Sequence, residues 1–184
     1  MEFQKQKIKQ LNKSDKSNIG VWDLKIRGLC DKINQDEGYY TTSSCAGRIV
    51  LIKSLDKKAK DVFLFRTHEK INLRKLNSVL EGIKYDKLIE FKQTPCILHV
   101  ACSNLEKAKK LIDKAKFSGW KHSGIMSIKK RIIIELHSTE NLSFLIMNCK
   151  KKLVNNEFLR LNIRLANKRL EKSWKKINKL YKSF

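Results

Sequence analysis

Tyr39-Tyr40-Thr41-Thr42-Ser43-Ser44-Cys45-Ala46-Gly47-Arg48-Ile49-Val50-Leu51-Ile52 is the stretch on which the reading of this chain turns. Its first half is rich in Tyr and Thr and its last four residues are apolar and mostly β-branched, so both ends have strand composition. Between them lie hydroxyls, a thiol, a glycine and an arginine. Gly47 lets a backbone come close to a ligand. Ser and Thr hydroxyls and open backbone N–H groups can hold a carboxylate or phosphate, and the planar fork of Arg48 suits either anion. A polar turn with a solvated arginine has the same composition, so the residues leave both readings open.

Working outward, Trp22, Ile26, Leu29 and Ile33 recur at helical spacing, with Asp15 or Ser17 as a cap. Residues 1–14 form a basic segment that frays or joins that first helix. Beyond the opening stretch, Val62–Phe65 follows a charged turn at Asp56–Asp61, so three strands in a hairpin or meander are expected. Leu73, Leu76, Leu80 and Ile83 predict a helix capped by Asn72. Leu88–Phe91 and Cys96–Cys102 read as strands, with Pro95 where it costs no ladder bond. Ser103 and Glu106 form a capping box for a helix through Leu105, Ala108, Leu111, Ile112 and Ala115 that closes near Gly119. Arg131–Leu136 is a strand. Residues from about 141 to 184 read as basic helices, with one stripe through Val154, Phe158, Leu161 and Leu165 and another through Leu170, Trp174, Ile177, Tyr181 and Phe184.

The pattern predicts an α+β single domain over residues 15–184: a mixed or mainly antiparallel sheet with packed helices and a helical C-terminal segment. Ser44-Cys45-Ala46-Gly47 and Ser123-Gly124 each precede a strand, an echo that points to an internal duplication. No Gly-rich strand–turn–helix loop of the Rossmann type is present.

Composition narrows the function. The 184 residues include 41 Lys and Arg against 18 Asp and Glu, a net charge of +23. Such an excess attracts polyanions, though a codon bias toward Lys would also produce it. Apolar runs such as Ile132–Ile134 and Phe144–Met147 are far too short to cross a bilayer, and Met1 to Gln10 lacks a signal peptide's apolar region. The expectation is a cytoplasmic protein with five free thiols. Cys96, His99 and Cys102 do not form a metal site, because strand alternation puts His99 on the face opposite the two cysteines; no metal is expected. Cys45 has no sequence-evident base beside it, which argues against covalent catalysis. Lys168, Lys172, Lys175, Lys179 and Lys182 share a helical face that could track phosphates. Tyr39, Tyr40 or Trp120 could stack on an unpaired base.

The central stretch resembles the Ser-Ser-Cys-Ser-Gly-Arg signature of the tRNA wybutosine-synthesizing protein 3 family, with Ala46 in place of the serine that follows the cysteine. Asp15-Lys16-Ser17 through Gly20 and Asp23 resembles the family's N-terminal Asp-Ser-Gly-Asp pattern. His68 falls where the family has a histidine after its second strand. Pro95 through His99 and Val100 resembles its Pro-Phe-Ile-Leu-His-Val strand, with Cys96 for the aromatic. Ser123-Gly124-Ile125 resembles its Ser-Gly-Ile turn, and Ala166-Asn167 its C-terminal Ala-Asn pair. These pieces run in family order from about residue 15 to 180.

The resemblance implies a methyltransferase that uses S-adenosyl-L-methionine on a non-Rossmann scaffold. It would methylate N(4) of a wyosine-type tricyclic guanosine at position 37, in the anticodon loop of phenylalanine tRNA. His99 or His68 would take the nitrogen's proton, with Asp23 behind them. Ser43, Ser44, Cys45, Gly47, Arg48, Ser123 and Gly124 would hold the cofactor. Tyr39, Lys168, Lys172, Lys175 and Lys179 would meet RNA. A monomer is favoured. The rival is a non-catalytic basic tRNA-binding or scaffold protein of the same fold.

Overall fold

In the computed structural model the chain is described over residues 2–13, 23–55 and 61–184. The elements run α1 (Glu2–Leu11), α2 (Leu24–Gln35), β1 (Tyr39–Cys45), β2 (Arg48–Lys53), β3 (Phe63–Thr67), α3 (Leu73–Gly82), β4 (Ile89–Thr94), β5 (Ile97–Cys102), α4 (Leu105–Phe117), β6 (Gly124–Ser127), β7 (Ile132–His137), β8 (Leu142–Asn148), β9 (Lys151–Lys152) and α5 (Asn156–Lys182). The expected α+β class holds, with every described strand pairing antiparallel. Two sheets form in place of one. They belong to two compact units, the first built from Met1–Ala46, Cys96–Thr139 and Ser173–Phe184, the second from Gly47–Pro95 and Glu140–Lys172.

The first unit carries the sheet β1-β5-β7-β6. Alternation sends Leu98, Val100 and Cys102 of β5 and Ile134 and Leu136 of β7 to one face. There they pack against Ile26, Leu29 and Ile33 of α2, Leu111 and Ala115 of α4, Trp120, and Ile177 and Leu180 of α5. Burial pushes the thiols of Cys30 and Cys102 up to about 12, leaving them inert at neutral pH. The five cysteines form no disulfide, in keeping with the expected thiols. The segment expected to fray or extend the first helix is the separate helix α1. Phe3 packs on Tyr40 on the opposite sheet face, ring centroids 5.1 Å apart, and Lys7 Nζ donates to Asp36 O at 2.8 Å.

The caps differ from expectation. Asp15, Ser17 and Trp22 lie outside the described residues, and the N-cap of α2 is Asp23, whose carboxylate accepts from Lys25 N. Helix α4 is capped by Asn104, not Ser103: its side chain accepts from Lys107 N at 2.8 Å. Both residues suit a cap, and only the backbone turn chooses between them. Gly119 closes this segment at φ +93°, where a Cβ would be strained and would meet Lys176 Cε at 3.0 Å.

Asp36 supplies a pH test. Burial opposes its ionisation, but the Gly38 N–H and the Lys107 ammonium outweigh it and hold the carboxyl below its ordinary range. A depressed folded value contributes stability that is present above the unfolded pKa and lost as the pH falls through the folded one. Acid titration of the melting temperature should therefore fall off below about pH 4. The fall should be shallower in Asp36→Asn; an unchanged slope would remove Asp36 as its source.

The second unit carries the sheet β3-β2-β4-β8-β9. Leu51, Phe91 and Phe144 share a row and a face. Phe144 stacks on Phe91 at 4.8 Å and meets Phe158 of α5 edge-on at 5.1 Å. Asn167 clamps Ile71, accepting from its N–H at 3.1 Å and donating to its carbonyl at 2.8 Å. The Ala166-Asn167 pair is thus architectural, with Ala166 fully buried.

Four expectations fail, in whole or in part. The hairpin or meander is only partly present: β2 pairs with β3, whereas β1 pairs with β5, because Gly47 at φ +97° redirects the chain after β1. The helical reading of residues 141–184 is corrected to two strands and one helix. A short apolar run such as Leu142–Met147 has no periodicity that separates strand from helix. The stripe through Phe158, Leu161 and Leu165 is exposed, and Leu159, Ile163, Ala166 and Leu170 are buried instead. Both stripes have helical spacing, so spacing alone could not choose. The Ser-Gly echo is no repeat of equivalent places: Ser44 lies within β1, whereas Ser123 precedes β6, and the strand orders of the two sheets differ.

Candidate active site

The register of the first unit aligns four residues in a straight row across its sheet. Ser43 of β1 stands opposite His99 of β5, His99 opposite Glu135 of β7, and Glu135 opposite Gly124 of β6. Directly opposed residues share a face, so the row lies on the side away from Leu98 and Val100. Ser43 Oγ is 2.7 Å from His99 Nδ1, and His99 Nε2 is 2.9 Å from Glu135 Oε2. Thr42 Oγ1 donates to the His99 carbonyl at 3.3 Å. A Cβ added at Gly124 would meet nothing within 4 Å, so the end of the row is open. Of the residues named from sequence, Ser43, His99 and Gly124 come together here. Glu135 was missed; its one signal is a carboxylate inside the apolar strand Ile132–Leu136.

The other first-unit candidates have architectural partners. Asp23 accepts from Lys25 N with Oδ1 at 3.3 Å and from Ala46 N with Oδ2 at 2.7 Å, tying the start of α2 to the end of β1. Ser44 stands opposite Leu98 and faces the other side of the sheet, near the Cys30 thiol. Cys45 ends β1, half-buried. The Ser123 hydroxyl donates to Trp120 O at 2.6 Å and accepts from His137 N at 3.3 Å, which locks the turn into β6. Tyr39 is corrected as a stacking platform: it is buried, and its hydroxyl donates to Lys107 O at 2.9 Å. Tyr40 and Trp120 are fully buried as well. Large aromatic surface is withdrawn into cores first, which is why these rings are closed to a base.

In the second unit, Gly47 O lies 3.1 Å from His68 Nδ1. A carbonyl only accepts, so Nδ1 carries the proton and the histidine holds the glycine turn. Arg48 opens β2 opposite Thr94. Its guanidinium lies over Phe63 at 5.1 Å, and that of Arg66 over the same ring at 5.5 Å. Arg48 Nε is buried and has no hydrogen-bond partner among the described residues. On α5, Lys168, Lys172, Lys175 and Lys179 are all exposed. Lys179 also donates to Phe117 O at 3.0 Å, at the end of α4, where a cation is favoured. No helix among the described residues is long and apolar enough to cross a membrane.

Comparison with known proteins places the chain among the tRNA-modifying methyltransferases. It belongs to the family described as Methyltransferase TYW3, whose model matches residues 3–184. It is 34% identical to the tRNA(Phe) 7-((3-amino-3-carboxypropyl)-4-demethylwyosine(37)-N(4))-methyltransferase of Thermococcus sibiricus, over 97% of this chain and 92% of that one. It is also 34% identical to the tRNA wybutosine-synthesizing protein 3 homolog of Danio rerio, over 96% of this chain and 72% of that protein. The solved structure of the PH1069 protein from Pyrococcus horikoshii superposes with a TM-score of 0.88 at 31% identity, covering 98% of this chain and 92% of that chain.

Proposed function

We infer that this tRNA methyltransferase transfers a methyl group from S-adenosylmethionine to N(4) of a wyosine-type tricyclic guanosine at position 37 of phenylalanine tRNA. The observation that carries this reading is the likeness, along nearly the whole chain, to a relative named for that reaction. The enzyme works in the cytoplasm as a monomer on the anticodon loop. S-Adenosylmethionine supplies an already electrophilic methyl group on a sulfonium, so the protein's work is alignment and proton removal, and no metal is needed. Arg48 suits the cofactor: its buried Nε lacks an acceptor, and the methionine carboxylate is one. Gly47, at φ +97°, supplies close backbone approach beside it.

Phenylalanine tRNA from cells lacking this gene, incubated with the protein and methyl-labelled cofactor, should yield an anticodon-loop nucleoside heavier by one methylene and labelled at N(4). Tight tRNA binding with no cofactor binding and no transfer would favour the scaffold reading instead.

Lys168, Lys172 and Lys175 meet phosphates in this reading. Replacing all three with Glu should weaken tRNA binding about tenfold or more and flatten the log–log salt dependence by roughly one per lost contact. A salt slope equal to wild type would exclude this face.

A further inference from the structure

Methylating an N–H nitrogen requires somewhere for its proton to go. In the first unit, Glu135 Oε2 lies 2.9 Å from His99 Nε2 and Ser43 Oγ lies 2.7 Å from His99 Nδ1. A carboxylate only accepts, so Nε2 carries the ring proton and Nδ1 accepts from the Ser43 hydroxyl. That leaves the Ser43 oxygen lone pairs facing outward, since Ser43 is exposed while His99 and Glu135 are half-buried.

The strand is shaped to produce this contact. In an unbroken β1, Thr42 would share the face of Tyr40. The register shifts between Thr41 and Ser43, a bulge that turns Ser43 toward His99, and bulges re-aim side chains in this way. The displaced Thr42 is pinned by its bond to the His99 carbonyl. Tyr40, Ala101 and Ile133 fill the neighbouring position on the same face, under Phe3, so the apolar packing stops one row short of the polar one.

We propose that Ser43, His99 and Glu135 form a proton relay for the methyl transfer, an assignment that rests on the function inferred above. As the new N–C bond forms, the donor's C–S bond breaks and its electron pair stays on sulfur. The N–H proton passes to Ser43 Oγ while the serine's own proton passes to His99 Nδ1. Glu135 faces the imidazolium that results, which returns its proton to water. Ser43 is the group that meets the substrate, and Glu135 is a positioning residue acting through His99.

Two measurements test this. Nitrogen-15 NMR of the free enzyme should find His99 protonated on Nε2 with Nδ1 bare; a proton on Nδ1 overturns the relay whatever the turnover. In steady-state assays, Ser43→Ala and Glu135→Gln should each lower kcat about 100-fold or more with KM for tRNA nearly unchanged. The double variant should be little worse than Ser43→Ala alone, because members of one unit are not additive. Near-wild-type kcat in either single variant, or additive losses, rejects the relay. A wild type that transfers no methyl group rejects the inferred function and the relay with it. An active wild type with indifferent variants rejects the relay alone.

Discussion

Replacing Arg48 with alanine is expected to abolish methyl transfer while the far-UV circular dichroism stays that of the wild type. The strand does not need the side chain, since β2 is held to β4 by backbone pairing from Arg48 through Lys53. Phe63 keeps Arg66 over its ring at 5.5 Å when Arg48 is gone. The loss falls instead on anion binding. A buried donor without a partner costs about 1–3 kcal/mol, and Arg48 Nε is such a donor in the free protein. A carboxylate arriving there gains a charge-assisted bond and removes that cost. Truncating one partner of a buried, hydrogen-bonded charge pair typically costs about 2–5 kcal/mol, some 30- to several-thousand-fold in affinity. Calorimetric titration with S-adenosylmethionine reads this directly. Arg48→Lys keeps the charge but not the fork, so it should fall between. An alanine variant that binds the cofactor as wild type does would end this assignment.

Trp120→Ala should produce the largest loss of stability. Trp120 is fully buried among α2, α4, β5, β7 and the last turns of α5, and its indole N–H donates to Lys176 O at 3.3 Å. Removing a buried aromatic to alanine costs about 3–5 kcal/mol, a large share of the roughly 5–15 kcal/mol that holds a typical domain. The denaturant midpoint should drop accordingly, with Trp120→Phe retaining most of it. A loss confined to about 1 kcal/mol would mean that the site collapses around the deletion.

What could be read from sequence follows from locality. Helix α3 was legible because Asn72 caps a strongly periodic run, and it does accept from Lys75 N at 2.9 Å. The strands β2, β4, β5 and β7 were legible from β-branched composition. Their division into two sheets was not, because pairing partners are chosen by contacts distant in sequence. The candidate site shows the same boundary. Ser43 and His99 were named for their chemistry, yet 56 positions separate them. Glu135 lies 36 positions beyond His99, and nothing local to its strand ties it to either residue. Tyr39 failed for the opposite reason: an aromatic residue in a strand looks the same whether its ring meets a ligand or a core.

Neither compact unit is one continuous stretch of chain, and this sets an order on synthesis. The second unit has all its residues once Lys172 is made, but the core of the first closes only with Ile177 and Leu180, contributed by Ser173–Phe184. On the ribosome, Ile26, Leu29 and Ile33 therefore wait for final neighbours that are made only after every residue of the second unit. A stop codon after Lys172 would leave that apolar surface uncovered, and such a product should be recognised by chaperones or degraded while the full-length chain accumulates.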